Sequence, residues 1–249
     1  MNIRIIKNDE PRIRRPKFRV DETLDLALNT HPLLASLNNS HFCGFISKPR
    51  GGKTSMIVGL LNTPVPDGFK GIFDRIYLIM GANSRQSIKG SFFDKKLHPD
   101  RIFDKLTIES LSSIYNQVEQ DSQEGLKSLI ILDDVQAQLK DAEVEKLLLH
   151  LVANRRHIRL NIWCALQNYI TCPRQVRMLL TSMFLFNVSA KELQQINEEH
   201  LEMPKKDFHK ITKLCFKNPH DFMYVSRDTH QIFCNWDEII YDDEESDLE

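Results

Sequence analysis

Short apolar runs alternate along this chain with segments of helical period. "HFCGFIS", residues 41–47, is a continuous apolar run of strand length. "KTSMIVGLLN" follows with Met56, Ile57, Leu60 and Leu61 spaced for one helix face, and Pro64 and Pro66 end it. "DRIYLIMG" (74–81) predicts a second strand, and "KLTIESL" (105–111) a short third one. "SLIILDD" (128–134) is apolar on both faces, as a central parallel strand would be. "DAEVEKLLLHLVANRRH" predicts an amphipathic helix. "RLNIWCALQ" (159–167) and "TSMFLFNVS" (181–189) predict two more strands. "KLCFKN", "DFMYVS" and "HQIFCN" then predict short antiparallel edge strands near the C-terminus. Alternating strands and helices define an α/β fold, a mainly parallel central sheet flanked by helices. In such sheets ligands bind beyond the carboxyl ends of the strands. The residues directly after each strand are therefore the ones to inspect for chemistry.

Composition narrows the class. The chain has 249 residues, 41% of them hydrophobic, enough for a substantial core. Net charge is −1, so no global field draws it to nucleic acid. The ends differ: residues 1–20 hold seven bases against Asp9 and Glu10, whereas "DDEESDLE" closes the chain with six acids. These predict a basic arm (1–24), a main domain (25–240) and an acidic tail (241–249), the tails solvated or, for the arm, in contact with phosphates or a partner. The five cysteines form no CxxC pair and sit largely in apolar runs, which suits buried thiols in a reducing compartment. The nine histidines lack metal-ligand spacing. The longest uncharged apolar stretch, Met178–Val188, is well short of the roughly 20 residues that span a bilayer. These features predict a soluble, intracellular, non-membrane-spanning protein.

The strand ends carry the candidate chemistry. After the first strand comes "SKPRGGKTS": Ser47, Lys48, Pro49, Arg50, Gly51, Gly52, Lys53, Thr54 and Ser55. A nucleoside triphosphate needs N–H donors in a concave loop, a helix N-terminus, a reaching ammonium and a magnesium ligand. Gly52 permits close backbone approach; Lys53 can reach the β- and γ-phosphates, and Thr54 can hold Mg²⁺ through its hydroxyl. This is a variant P-loop, because Ser47 stands at the first glycine position and Pro49 removes an N–H donor. Eighty residues further on, Asp133 and Asp134 end a buried strand. Adjacent acids there are costly unless a cation or hydrogen bonds compensate. One would bind Mg²⁺ through water and the next orient the attacking water. Gln167 ends the following strand, where it could sense the γ-phosphate or place water. Arg155 and Arg156 end the helix before it. They either favour the helix dipole or supply an arginine finger to a neighbouring subunit.

The ordered set of P-loop, "LIILDD", "NRRH" and "LQNY" resembles the FtsK–HerA superfamily of P-loop ATPases. Within it, "FDRIYLIMGANS", "NRRHIRLNIWCALQNYITCPRQVRMLLTSMFLFN" and "KELQQI" are most similar to the genome-packaging ATPases of poxviruses and other large nucleocytoplasmic DNA viruses, over roughly residues 38–240. The resemblance implies a RecA-like sheet, a homo-oligomeric ring and ATP-driven translocation of double-stranded DNA into a capsid. It implies a capsid or membrane-vertex protein as a further partner, and a location in the host cytoplasm, at the virus factory, and in the virion. It assigns Lys53 and Thr54 as the P-loop pair and Asp133 as the Mg²⁺-linked acid. Asp134 takes the position of the usual catalytic glutamate, Gln167 that of the sensor, and Arg156 that of the finger, with Arg155 as the fallback. Two other readings stay open: a degenerate P-loop NTPase acting as a DNA- or capsid-binding scaffold, and another P-loop enzyme such as a nucleotide kinase. The chain is too short for the two RecA-like domains of a monomeric helicase.

Overall fold

The computed structural model describes residues 23–24, 26–38, 40–88 and 92–240. The basic segment 1–20 and the acidic tail 241–249 lie outside the described residues. Nine strands form one sheet: β1 (Phe42–Ile46), β2 (Arg75–Met80), β3 (Ile102–Phe103), β4 (Ser128–Asp133), β5 (Leu160–Leu166), β6 (Ser182–Leu185), β7 (Met223–Ser226), β8 (Gln231–Cys234) and β9 (Asp237–Ile239). Their order is β3-β2-β4-β5-β1-β6-β7-β8-β9. The first six in that order are parallel, and β6 to β9 continue antiparallel. This is the α/β sheet the alternating pattern predicts.

Both faces of the parallel strands are buried, so β1, β4 and β5 read as unbroken apolar runs rather than alternating ones. On one face of the sheet, Ile130, Leu132, Ile162 and Leu166 pack with α5 (Ile108–Gln123) and α6 (Ala142–Asn154). On the other, Phe45, Trp163 and Phe184 pack with α2 (Lys53–Asn62) and α1 (Pro32–Ala35). The remaining helices are α3 (Ala82–Gln86), α4 (Phe92–Lys96), α7 (Arg174–Arg177), α8 (Ala190–Ile196) and α9 (Lys205–Cys215). Cys43, Cys164, Cys172 and Cys215 are buried thiols; Cys234 is half-buried.

Two predicted strands are helical instead. "KLTIESL" holds the start of α5: Thr107 caps it by accepting from the Ser110 N–H, and Ser110 returns the bond in a capping box. The third strand lies just upstream, at residues 102–103. "KLCFKN" belongs to the end of α9, whose Phe208, Ile211, Thr212 and Cys215 recur at helical spacing and are buried. The alternation of Leu214 and Phe216 with lysines imitates a strand, but burial of the three–four pattern upstream decides the segment.

Candidate nucleotide site

Three strands of the sheet's centre deliver the candidate residues to its carboxyl edge. β5 lies between β4 and β1, with Ile46 opposite Leu166 and Ala165 opposite Asp133. The loop after β1, the acids after β4 and Gln167 after β5 therefore converge.

The loop 47–52 bends back on itself. Ser47 is buried, and its N–H donates to the Leu166 carbonyl at 3.1 Å, pinning the loop to β5. Arg50 (φ 63°) and Gly52 (φ 106°) occupy the left-handed region. At Gly51 a Cβ would lie 2.3 Å from Ser47 Oγ, so the close approach of these two residues requires glycine. The serine at the first position thus fits only because Gly51 lacks a side chain. Gly52 is the N-cap of α2, whose first-turn N–H groups point out of the helix end. Lys53 is 8% exposed, and its ammonium donates to Ser47 O (2.7 Å), Ser47 Oγ (3.2 Å) and Lys48 O (3.2 Å). Burial lowers its pKa, opposed by the charges of Asp133 and Asp134.

The Thr54 hydroxyl donates to Asp133 Oδ2 at 2.8 Å. Asp133 is buried, and desolvation raises its pKa against the lowering effects of Thr54 and Lys53. Asp134 has left-handed backbone (φ 58°), which Asp tolerates better than most residues. The Gln167 amide donates to Asp134 Oδ1 at 2.7 Å, and the Ser84 hydroxyl to Oδ2 at 3.4 Å. Lys53, Thr54, Asp133, Asp134 and Gln167 are thus brought together.

Arg155 and Arg156 are not part of this group. A crossover helix runs back against its strands, so α6 ends at the amino edge, near the start of β5. Arg155 Nε there donates to the Ser40 carbonyl at 3.1 Å and Nη1 to Val152 O at 2.8 Å, which stabilises the helix end and its packing before β1. Arg156 is exposed beside it. The seven residues of β5 separate this edge from Gln167 by roughly 20 Å at about 3.3 Å per residue.

Sequence reasoning missed several contributors. Gln136 accepts from the Gln167 and Asn168 N–H groups (2.9 and 3.2 Å), and its amide donates to Asn168 O and Thr171 Oγ1. It clamps the loop carrying Gln167. Tyr169 anchors that loop from below: its N–H donates to Glu192 (2.8 Å), and its hydroxyl joins Glu199 and His200 (2.6 Å each). Burial pushes the Glu199 carboxyl up, but Arg177, gripping it with two bonds of 2.7 Å, and the Tyr169 hydroxyl together hold it down, to about 2. A cavity of about 680 Å³ borders the loop, walled by Arg50, Met56, Phe186, His220 and Trp236. Arg50 and Met56 belong to the loop and helix already read from the sequence, whereas Phe186, His220 and Trp236 carry no motif that points to this site.

A glycine loop opening a helix, a lysine, a threonine hydroxyl on a strand-end aspartate, and a glutamine on the next acid define a P-loop NTPase. The family model for the poxvirus A32 protein matches residues 33–248, and the chain belongs to that family. No curated protein matches it. Among solved structures it is similar to B204, the DNA-packaging ATPase of Sulfolobus turreted icosahedral virus (TM-score 0.58, 13% identity, 78% of this chain and 95% of that one). It is also similar to the genome packaging NTPase B204 of Sulfolobus turreted icosahedral virus 2 in complex with AMPPCP (TM-score 0.57, 14% identity, 78% and 96%). At these identities the likeness is one of fold.

Proposed function

We propose that this chain is an ATP-driven motor that translocates double-stranded DNA into a viral capsid as a homo-oligomeric ring in the infected cell's cytoplasm. The contact that carries the reading is Thr54 Oγ1 to Asp133 Oδ2 at 2.8 Å, with Lys53 beside it and Gln167 on Asp134. Family membership and fold support it. A hydroxyl and a desolvated carboxylate are the hard oxygen donors that suit Mg²⁺. Thr54 would hold the ion directly and Asp133 through water; when bound, it neutralises charge on the β- and γ-phosphate oxygens.

The residues of the chain then have distinct tasks. Lys53 exchanges the Ser47 and Lys48 carbonyls for phosphate oxygens. The N-terminus of α2 and Arg50 add positive potential. Asp134, held by Gln167, orients the attacking water. The aromatic walls Phe186 and Trp236, with His220, receive the base, because flat apolar surfaces suit a heterocycle. Arg156 lies across the sheet from its own Lys53 and so acts on the nucleotide of an adjacent subunit.

The test is ATP turnover of wild type and Lys53→Ala, each with and without duplex DNA. Lys53→Ala should lower turnover by about 10²–10³, the scale for losing one aimed donor, and duplex should stimulate only the wild type. Wild-type turnover in Lys53→Ala sinks the site; absence of any response to duplex sinks the motor.

A further inference from the structure

The chain is close to neutral overall, yet residues 205–217 hold five lysines against one acid, Asp207. All five lysines are exposed. Lys206, Lys210 and Lys213 recur at i, i+4 and i+7 in α9, so they form one stripe. Lys217 follows just beyond the helix end. The opposite stripe, Phe208, Ile211, Thr212 and Cys215, is buried against the sheet. The one acid of this segment, Asp207, is paired with Lys210 at 2.9 Å. Like charges on one helix face repel, so such a stripe costs stability unless it meets an opposite charge.

We propose that this lysine face of α9 is the surface on which the protein holds the phosphate backbone of duplex DNA; the assignment rests on the DNA-motor reading above. Two features favour duplex over a membrane. A membrane-surface helix inserts an apolar face, and the apolar face of α9 is already committed to the core. Lys206 to Lys213 also span about 10 Å at 1.5 Å per residue, the rise of about three base pairs along a duplex axis at about 3.4 Å each. Lysine heads supply point charges and no planar base-reading fork, which suits a motor that passes any sequence.

The position of α9 gives this contact a route to the nucleotide. The chain leaves β6 at the carboxyl edge, passes through α8 and α9, and returns to the same edge at β7, where Met223 pairs with Leu185. Between α9 and β7, His220 lines the cavity beside Gly52 and Lys53. One short segment therefore joins the lysine face to the wall of the nucleotide cavity. Movement of DNA along α9 and occupancy of the cavity are coupled through residues 216–222.

The experiment compares the full chain, Lys206→Glu/Lys213→Glu, and the charge-matched control Lys95→Glu/Lys96→Glu on exposed positions of α4. Lys210 is left intact because of its ion pair. Binding to a fluorescent 30-base-pair duplex of random sequence is measured from low to high salt, beside DNA-free and DNA-stimulated ATP turnover and binding to anionic phosphatidylserine vesicles. The α9 variant should bind about 10–100-fold more weakly at 0.1 M salt, with a salt slope smaller by about 2. It should lose stimulation by duplex and keep DNA-free turnover, whereas the α4 control behaves as wild type. Equal loss in both variants, or no loss in the α9 variant while wild type binds duplex, overturns the assignment and leaves the motor reading standing. Loss of vesicle binding with duplex binding intact overturns it in favour of a membrane surface. A wild-type chain that binds no duplex at any salt overturns the motor reading and this assignment together.

Discussion

The loop that carries Gln167 rests on a titratable network, which makes its stability depend on pH in a calculable way. His200 Nε2 lies 2.6 Å from the Tyr169 hydroxyl, which in turn lies 2.6 Å from Glu199 Oε2. The bonding is consistent with neutral His200 donating through Nε2, while Tyr169 donates to Glu199. His200 Nδ1 is buried without a hydrogen-bond partner. Protonation there would bury an unpaired N–H, and burial with Arg227 and Arg177 nearby lowers the His200 pKa to about 4, against an opposing pull from Glu199. The unfolded chain, with a histidine pKa of about 6.5, takes up the proton first as pH falls. Stability is therefore fully present above that value and is lost as pH falls from about 6.5 towards 4. Between pH 8 and pH 5 the shift corresponds to about 2 kcal/mol, or on the order of 1–2 kcal/mol after allowing for partial solvent screening. In a domain of this size that is a fall of roughly 2–8 °C in Tm. The assay is urea unfolding or calorimetry of wild type and His200→Gln at both pH values. The difference between the two proteins should shrink or reverse towards pH 5, because only wild type carries the penalty. An identical pH dependence in both would refute the buried neutral histidine.

Two further outcomes test the division of labour at the sheet's two edges. Asp134→Asn should cut turnover by about 10²–10⁴, the range for losing a positioned base, with little change in nucleotide affinity. Asp133→Asn should weaken Mg²⁺-dependent nucleotide binding itself; a fluorescent ATP analogue and steady-state turnover separate the two, and the opposite pattern would exchange their roles. Mixing Arg156→Ala with Lys53→Ala protein should restore measurable hydrolysis at interfaces that pair an intact Arg156 with an intact Lys53. Co-assembled but inactive mixtures would leave Arg156 a surface residue, and Arg155, bonded to Ser40 and Val152, should then be examined the same way.

Local patterning carried much of this protein. The apolar runs ending in Ser47, Asp133 and Leu166 are strands because two-sided burial leaves no polar alternation, and the segment order alone placed their ends at one edge. Gly52, Lys53 and Thr54 were legible because phosphate chemistry demands them in a row between a strand and a helix. Spacing failed where its signal is ambiguous: "KLCFKN" alternates like an edge strand, yet Phe208, Ile211 and Cys215 bury one side of a helix. Nor does spacing say which edge Arg156 reaches, since that depends on how the crossover runs.

What only tertiary structure decided are the contacts between residues far apart in sequence. Gln136 clamps a loop more than thirty positions away, and Arg177 with Glu199 and His200 anchors it from beneath. Phe186, His220 and Trp236 meet beside Gly52 only because β6 and the antiparallel strands fold back along the sheet. The tolerance of Ser47 at a glycine position depends on Gly51, four residues on, lacking a Cβ in that loop geometry. A sequence determines its local periodicities directly, because each follows from neighbouring side chains and one backbone geometry. Charge desolvation, cavity walls and the partners of a buried histidine arise only when the packed layers bring distant groups together.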